Sequence, residues 1–372
     1  MNSALPYSQH LKLAMGSIHP PTSTPWYYSP APSLLPGLPD KILALISPLI
    51  FYWVFSLFFH LLDVYSTRPP FSWMNIERYR IHDNEEMKAK NQVTPNQVFR
   101  AVVIQQILQT VLGYWWLEDD VPGSMDAPTP VEVHVDAMLR LAPAVVRVAS
   151  ILLGNVTAAN LIRNYGNAIL WTVYWYLIPM AQIFLAFFAM DTWQYFLHRL
   201  FHVNKFLYKH IHSVHHRLYV PYAYGALYNH PLEGFVFDSL GAVVSESFAS
   251  LSVRQSALLF AFSSAKTVDD HCGFSLPWDP LQYFYRNNAR FHDIHHQHYG
   301  LKYNFSQPFW IHWDVLLGTR WDKPAKPLAA EKAAFLAAAE ERKKLADEFR
   351  REPSSDSELS SDSGIAMINK EE

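Results

Sequence analysis

Apolar residues along this chain come in long blocks divided by polar stretches, and the blocks predict helices. Positions 42–64 are almost wholly apolar and, at ~1.5 Å of rise per residue, long enough to cross ~30 Å of hydrocarbon. Pro48 should start or kink that helix, and His60 falls near its end. The polar stretch 68–90 comes next with Arg68, Arg78, Arg80, Lys88 and Lys90, which the positive-inside rule assigns to the cytosol. Positions 96–117 are apolar with Gln105, Gln106 and Gln109 interspersed, and predict a second, less hydrophobic span or, failing that, an interfacial helix. Then come an acidic, turn-rich stretch, 118–130, and an amphipathic one, 133–163, carrying Arg140, Arg147 and Arg163. Both belong at the membrane surface or in the lumen, where Asn155-Val-Thr157 reads as a glycosylation sequon. The clearest remaining span is 168–190. It runs directly into Asp191-Thr-Trp-Gln-Tyr-Phe-Leu-His198, and Arg199, Lys205, Lys209 and Arg217 place the segment after this span on the cytosolic face. Two shorter segments, 232–250 and 254–271, predict a hairpin that enters and returns on one side.

These blocks divide the chain into a flexible Pro-rich tail (1–40), transmembrane or interfacial helices (41–165), a histidine-rich domain (166–322) and a charged helix with a disordered acidic Ser-rich tail (323–372). The first tail holds eight prolines, which oppose helix, and Trp26-Tyr27-Tyr28, an interfacial anchor or plain surface. It has no charged region followed by an apolar core, so no cleaved signal peptide is expected. Composition agrees: half of the 372 residues are hydrophobic and 15% aromatic, which points to an all-α, multi-pass membrane protein. The mean hydropathy of −0.03 averages apolar helices with polar ends. A net charge of −3 says nothing about nucleic acid, but the lack of a basic tract with interleaved aromatics argues against it. The single cysteine, Cys272, excludes an internal disulfide framework and any thiolate cluster, so metal ligands here would be nitrogen and oxygen.

The chemistry lies in three histidine groups: His198-Arg-Leu-Phe-His202, His212-Ser-Val-His215-His216 and His292-Asp-Ile-His295-His296. Helix positions i, i+3 and i+4 share a face, so each group is expected to aim its imidazoles at one point. A lone histidine on an apolar face is ordinarily a hydrogen-bonded core residue. Here 13 of the 18 histidines fall between His198 and His312, and the doublets repeat one spacing. Eight imidazoles exceed the four to six positions of one ion, so two ions are the economical reading. His271, at the end of the predicted hairpin, could close the ligand set; Asp269 and Asp270 beside it could orient ligands or form a solvated helix end. Asp191, seven residues before His198, could bond an imidazole or cap a helix. Three chemistries compete: a di-iron centre that uses O2 on a membrane lipid, a zinc hydrolase and a metal carrier. The hydrolase lacks its His-Glu-x-x-His, and a carrier would set ionisable residues inside several spans.

The three groups in this order resemble the fatty acid hydroxylase superfamily of endoplasmic reticulum membrane enzymes. Asp191-Thr-Trp-Gln-Tyr-Phe-Leu-His-Arg, Tyr208-Lys-His-Ile-His-Ser-Val-His-His, Asn229-His-Pro-Leu-Glu-Gly and Phe291-His-Asp-Ile-His-His-Gln are similar to its fungal sphinganine C-4 hydroxylase branch. The resemblance implies that His198, His202, His212, His215, His216, His292, His295 and His296 hold two irons with His271 as a ninth ligand. It makes His230 a supporting residue or a ligand, and leaves His210 and His298 outside the set. It also implies oxygen insertion at carbon 4 of sphinganine or dihydroceramide, with electrons from NAD(P)H through cytochrome b5 and its reductase. A sterol C-4 methyl oxidase or C-5 desaturase of the same superfamily is the alternative. Tyr222, Tyr224, Phe235, Phe237, Trp278, Tyr283 and Phe284 are candidates to line the lipid pocket.

Overall fold

The computed structural model describes residues 12, 14–66, 68, 73, 76–117, 130–323, 341 and 344. The chain divides into two units, Met1–Trp321 and Asp322–Glu372, and the helices below belong to the first. The expected acidic stretch after the second span, the C-terminal charged helix and the Ser-rich tail lie outside the described residues. Among the described residues there is no strand, only the isolated bridges Leu35–Leu38 and Arg80–Phe274.

Helix α1, Asp40–Tyr65, covers the first predicted span. Pro48 lies inside it and leaves the Ala44 carbonyl without its helical N–H; Ser47 Oγ donates there at 3.2 Å. A short helix, α2 (Asn84–Lys90), precedes α3 (Pro95–Trp116), which starts on a Thr94 capping box and has Pro95 at a position where no N–H is needed. α3 runs back along α1: its first residues come just after Asn91, bonded to Val220 beside the histidines, and its Gly113 lies against Leu45. The predicted amphipathic segment breaks into two helices. Gly154 adopts φ +76, which a side chain would resist, and ends α4 (Val131–Leu153). From there a single helix, α5 (Asn155–Val203), continues through the boundary expected at 165/166. A π turn, Val173–Leu177, interrupts it just before Pro179, whose missing N–H would otherwise break the ladder.

The predicted hairpin is present. Helix α7 (residues 231–249, with a π turn at Phe235–Ser239) packs along α5, where Gly241 admits Trp193. Ser250 turns in the left-handed region, and Ser252 caps α8 (Val253–Asp270), which returns parallel to α1. Arg254 pairs with Asp40 at 2.7 Å at one end, Ser47 and Ser264 bond across the middle, and His271 ends α8 beside the other histidines. Short helices α6 (Lys205–His210), α9 (Pro280–Phe284), α10 (Ala289–His296) and α11 (His312–Leu316) complete the histidine end.

α1 and α5 are long and apolar enough to cross a membrane, and only 28% and 22% of their most apolar windows are buried. A soluble core helix would be mostly buried; here Val54, Leu57, Phe58, Ile107, Val111, Met180 and Phe184 face outward as an apolar belt. The Pro-rich stretch read as a flexible tail is held down from Ala14 onward. Ala14 and Ile18 join Ala142, Val146, Ala159, Ile162 and Leu170 in one core cluster, and Tyr28 bonds His134 at 2.9 Å. Residues 14–16 are helical, and from Pro20 onward the prolines oppose helix without forbidding extended packing on a neighbour.

Candidate metal centre

Three helical segments and one helix end carry the histidines. His198 and His202 occupy the last turns of α5; His212, His215 and His216 lie on a 3-10 turn, His212–Arg217; His292, His295 and His296 lie on α10; His271 caps α8. All nine converge into two groups that could each hold an ion: His198, His202, His212, His216 and His295, and His215, His271, His292 and His296. Within each, the ligand nitrogens lie within 4.8 Å of one another. The expectation that each sequence group aims at one point is corrected by this partition. Adjacent residues diverge by ~100° on an α-helix and ~120° on a 3-10 turn, so His215 and His216 fall in different groups, as do His295 and His296.

Hydrogen bonds behind the rings decide what the nitrogens can do. The Nδ1 atoms of His198, His271, His295 and His296 donate to the carbonyls of Phe305, Thr267, Tyr303 and Leu218 at 2.7–2.8 Å, and His215 Nδ1 to that of Tyr228 at 3.1 Å. A carbonyl can only accept, so each proton sits on Nδ1 and Nε2 carries a bare lone pair. The Nε2 atoms of both groups face inward. His198 and His212 Nε2 are 3.1 Å apart, His212 and His202 Nε2 2.8 Å, His292 and His271 Nε2 3.0 Å, and His296 and His292 Nε2 3.1 Å. Imidazole nitrogens at right angles around an ion ~2.1 Å away would stand roughly 3 Å apart. His295 Nε2 is buried with no partner in the protein, as an ion ligand would be. The residues therefore fit a metal pair, and the all-nitrogen set suits iron, zinc or copper. Burial pushes His212, His271 and His295 down to about 3 and His215 to about 4, so these rings are neutral at pH 7 and need shed no proton to ligate.

Glu233 was missed by sequence reasoning. Its Oε1 accepts from His212 Nδ1 at 2.7 Å and fixes that ring from behind. Burial pushes its carboxyl up to about 7, and positive charge in the neighbouring group would draw it back. A buried acid three residues after His230, in an otherwise apolar helix start, was the available signal.

The other expected helpers sit elsewhere. Asp191 bonds no imidazole: seven residues span ~10 Å of helix, and its carboxylate accepts the Phe309 and Trp310 N–H groups at 2.9 and 2.7 Å. Asp270 pairs with Lys266, and Asp269 accepts from Gln282. His230 caps α7, accepting from Leu232 N–H at 3.2 Å, outside both groups. His210 and His298 are exposed. A cavity of about 360 Å³ opens beside the centre, bordered by His212 of one group and His215, His271 and His292 of the other, between α1, α3, α7 and α8. Of the aromatics expected to line it, Phe235 and Phe237 do, while Trp278, Tyr283 and Phe284 are exposed.

Residues 183–319, which include all nine histidines, match the fatty acid hydroxylase family. The chain is 40% identical to the sphingolipid C4-hydroxylase of Saccharomyces cerevisiae over 86% of its own length and 82% of that protein's. The chain belongs to the fatty acid hydroxylase family. Among other members, the chain is 44% identical to the sphingolipid C4-hydroxylase of Schizosaccharomyces pombe (74% of the chain, 87% of the relative). It is 38% identical to sphinganine C4-monooxygenase 2 of Arabidopsis thaliana (75% and 88%). Its likeness to a methylsterol monooxygenase of Gallus gallus covers only 39% of the chain. No solved structure matches the chain.

Proposed function

We propose that this chain is an O2-dependent monooxygenase that hydroxylates sphinganine, or the dihydroceramide made from it, at carbon 4. The observation that carries this is the partition of nine imidazoles into two groups of converging ring nitrogens on the wall of a lipid-sized, mostly apolar cavity. The close relatives named for sphingolipid C4 hydroxylation align along most of the chain, whereas the sterol relative does not.

Two irons, one per group, would supply reductive use of O2, with one oxygen atom entering the C–H bond and the other leaving as water at the cost of two electrons and two protons. The chain's own share is geometric. The carbonyls of Phe305, Tyr303, Leu218, Tyr228 and Thr267 hold the rings in register, Glu233 holds His212, and burial excludes water from the reacting carbon. The chain has no Gly-rich dinucleotide fingerprint, so NAD(P)H would deliver electrons through cytochrome b5 and its reductase. The histidine end would face the cytosol from the endoplasmic reticulum membrane, in line with Arg199, Lys205, Lys209 and Arg217 beside it.

Purified protein given sphinganine, O2 and a reducing system should yield the 4-hydroxylated base and contain iron rather than zinc. A product hydroxylated elsewhere, or a sterol product, would overturn the assignment.

A further inference from the structure

The cavity beside the histidines has a chemically uneven wall. Four carboxyl side chains border it, Glu233, Asp238, Glu246 and Asp270, and the described residues around it include no lysine or arginine. Two of these acids have partners of their own: Asp270 pairs with Lys266, and Glu246 accepts from Ser256 Oγ at 3.1 Å. Asp238 has only neutral donors, the Gln105 and Gln109 amides at 3.3 and 3.2 Å on Oδ2 and the Gln194 amide. Glu233 leaves Oε2 buried and unpartnered, and Ser239 Oγ and Ser263 Oγ on the same wall are likewise buried and unpartnered. Buried carboxylates are costly unless a cation meets them, and buried hydroxyls unless they are bonded. The wall is therefore matched to a ligand that brings positive charge together with hydroxyl groups.

Asp238 is well placed to receive that charge. It lies on the π turn Phe235–Ser239, five residues after Glu233 on the same helix and close enough for the two carboxyls to repel, which a cation between them would relieve. Glu233 in turn holds His212. From the other side Gln194, one helical turn before His198 on α5, bonds the same π turn through the Phe237 carbonyl at 3.0 Å. In a sphinganine-type base the nitrogen is on carbon 2, two carbons from the reacting carbon 4, so amine and reacting carbon must occupy neighbouring parts of one cavity.

We propose that Asp238 selects the polar end of the substrate: its carboxylate takes the ammonium of a free long-chain amino alcohol and thereby sets carbon 4 against the histidine groups. An N-acylated lipid brings no charge to this position, and a fatty acid brings the wrong one. The assignment rests on the reading of the chain as a carbon-4 hydroxylase.

The test uses purified full-length enzyme with a reducing system, sphinganine, and octadecane-1,3-diol, which lacks only the amine. Wild type should favour sphinganine by about tenfold or more in kcat/KM, since a site built for a charged donor rejects the analogue without it. Asp238→Asn should lose most of that preference through sphinganine alone, with metal content unchanged, and Asp238→Glu should keep it. A wild-type ratio in Asp238→Asn overturns the proposal. Should that variant fail to fold, competition on wild type decides: octadecylamine should inhibit about tenfold more strongly than octadecanol or stearate, and equal inhibition overturns it. A wild type that hydroxylates neither lipid at carbon 4 removes the hydroxylase reading and this selection with it; an active wild type indifferent to the amine removes the selection alone.

Discussion

At the residue scale the nine histidines are not interchangeable, and the sharpest consequence is which of them share an ion. His202 and His295, from the first and third sequence groups, belong to one set; His215 belongs to the other. His202→Ala, His295→Ala and His215→Ala should each drop the metal content from two ions toward one and abolish turnover. The double variant His202→Ala/His295→Ala should stay near one ion, whereas His202→Ala/His215→Ala should fall toward none. Metal analysis of the purified variants reads this directly, because residues that share a site combine non-additively. Equal loss in both doubles would sink the partition. Glu233→Gln keeps the shape behind His212 but not the charge, and should weaken ion retention in that set by ~10–100-fold under chelator competition. Eight of the nine converging histidines were legible because their spacing repeats a helical face, and His271 only because it ends the predicted hairpin. The sequence hid the partition, since residues 215 and 216 share a face only on average while their rings diverge by ~120° on a 3-10 turn. Glu233 left only a faint signal, its place three residues after His230, and its bond to His212 shows only once the neighbouring helices close over it.

At the element scale, side chains far from the ions hold the ligand-bearing segments in place. Asp191 on α5 accepts two N–H groups from the loop before α11, at 1% exposure. Charge-assisted bonds of this kind contribute about 1.5–3 kcal/mol each, so Asp191→Ala should lower the thermal midpoint by several degrees even with both ions bound; an unchanged midpoint would refute that role. His82 does the same for α10. Its Nε2 faces Asp293 at 2.9 Å and its Nδ1 faces Glu86 at 3.0 Å. Burial opposes the charge on His82, but the two carboxylates outweigh it and raise the imidazolium to about 10 from 6.5. A raised histidine gives stability that is complete below its unfolded value and is lost as pH climbs through the folded one. The thermal midpoint should therefore fall between about pH 7 and 10, and His82→Gln should flatten that fall; a variant with the wild-type slope would refute it. Element positions were readable from hydropathy alone for α1, α3 and the α7/α8 hairpin. The break at Gly154 was not, because the apolar pattern continues across it and only a positive φ marks the turn.

Over the whole molecule, the ions and the fold should be coupled. The two sets draw on α5, the 212–217 turn, α8 and α10, so every ligand-bearing segment of the histidine end meets at the metals. Without cations, the lone pairs that the Nδ1 bonds fix on His198 and His212 would face each other at 3.1 Å in a buried space. Burial holds the rings neutral, and the carbonyls behind His198, His215, His271, His295 and His296 occupy their ring protons, so only rings without such a bond, such as His292, can donate inward, too few to relieve every contact at once. Binding ions that the unfolded chain cannot gather stabilises the folded state by mass action. The apolar belt on α1, α3 and α5 takes no part in this and should stay embedded regardless. Stripping metal from detergent-purified protein should therefore lower its thermal midpoint and raise hydrogen exchange selectively in residues 198–217 and 289–296. Exchange along α1 should stay at its starting level, and ferrous iron should restore the rest. Uniform loosening of both ends, or none at either, would mean that the histidine end is held by its own packing and that the ions are guests rather than part of the fold.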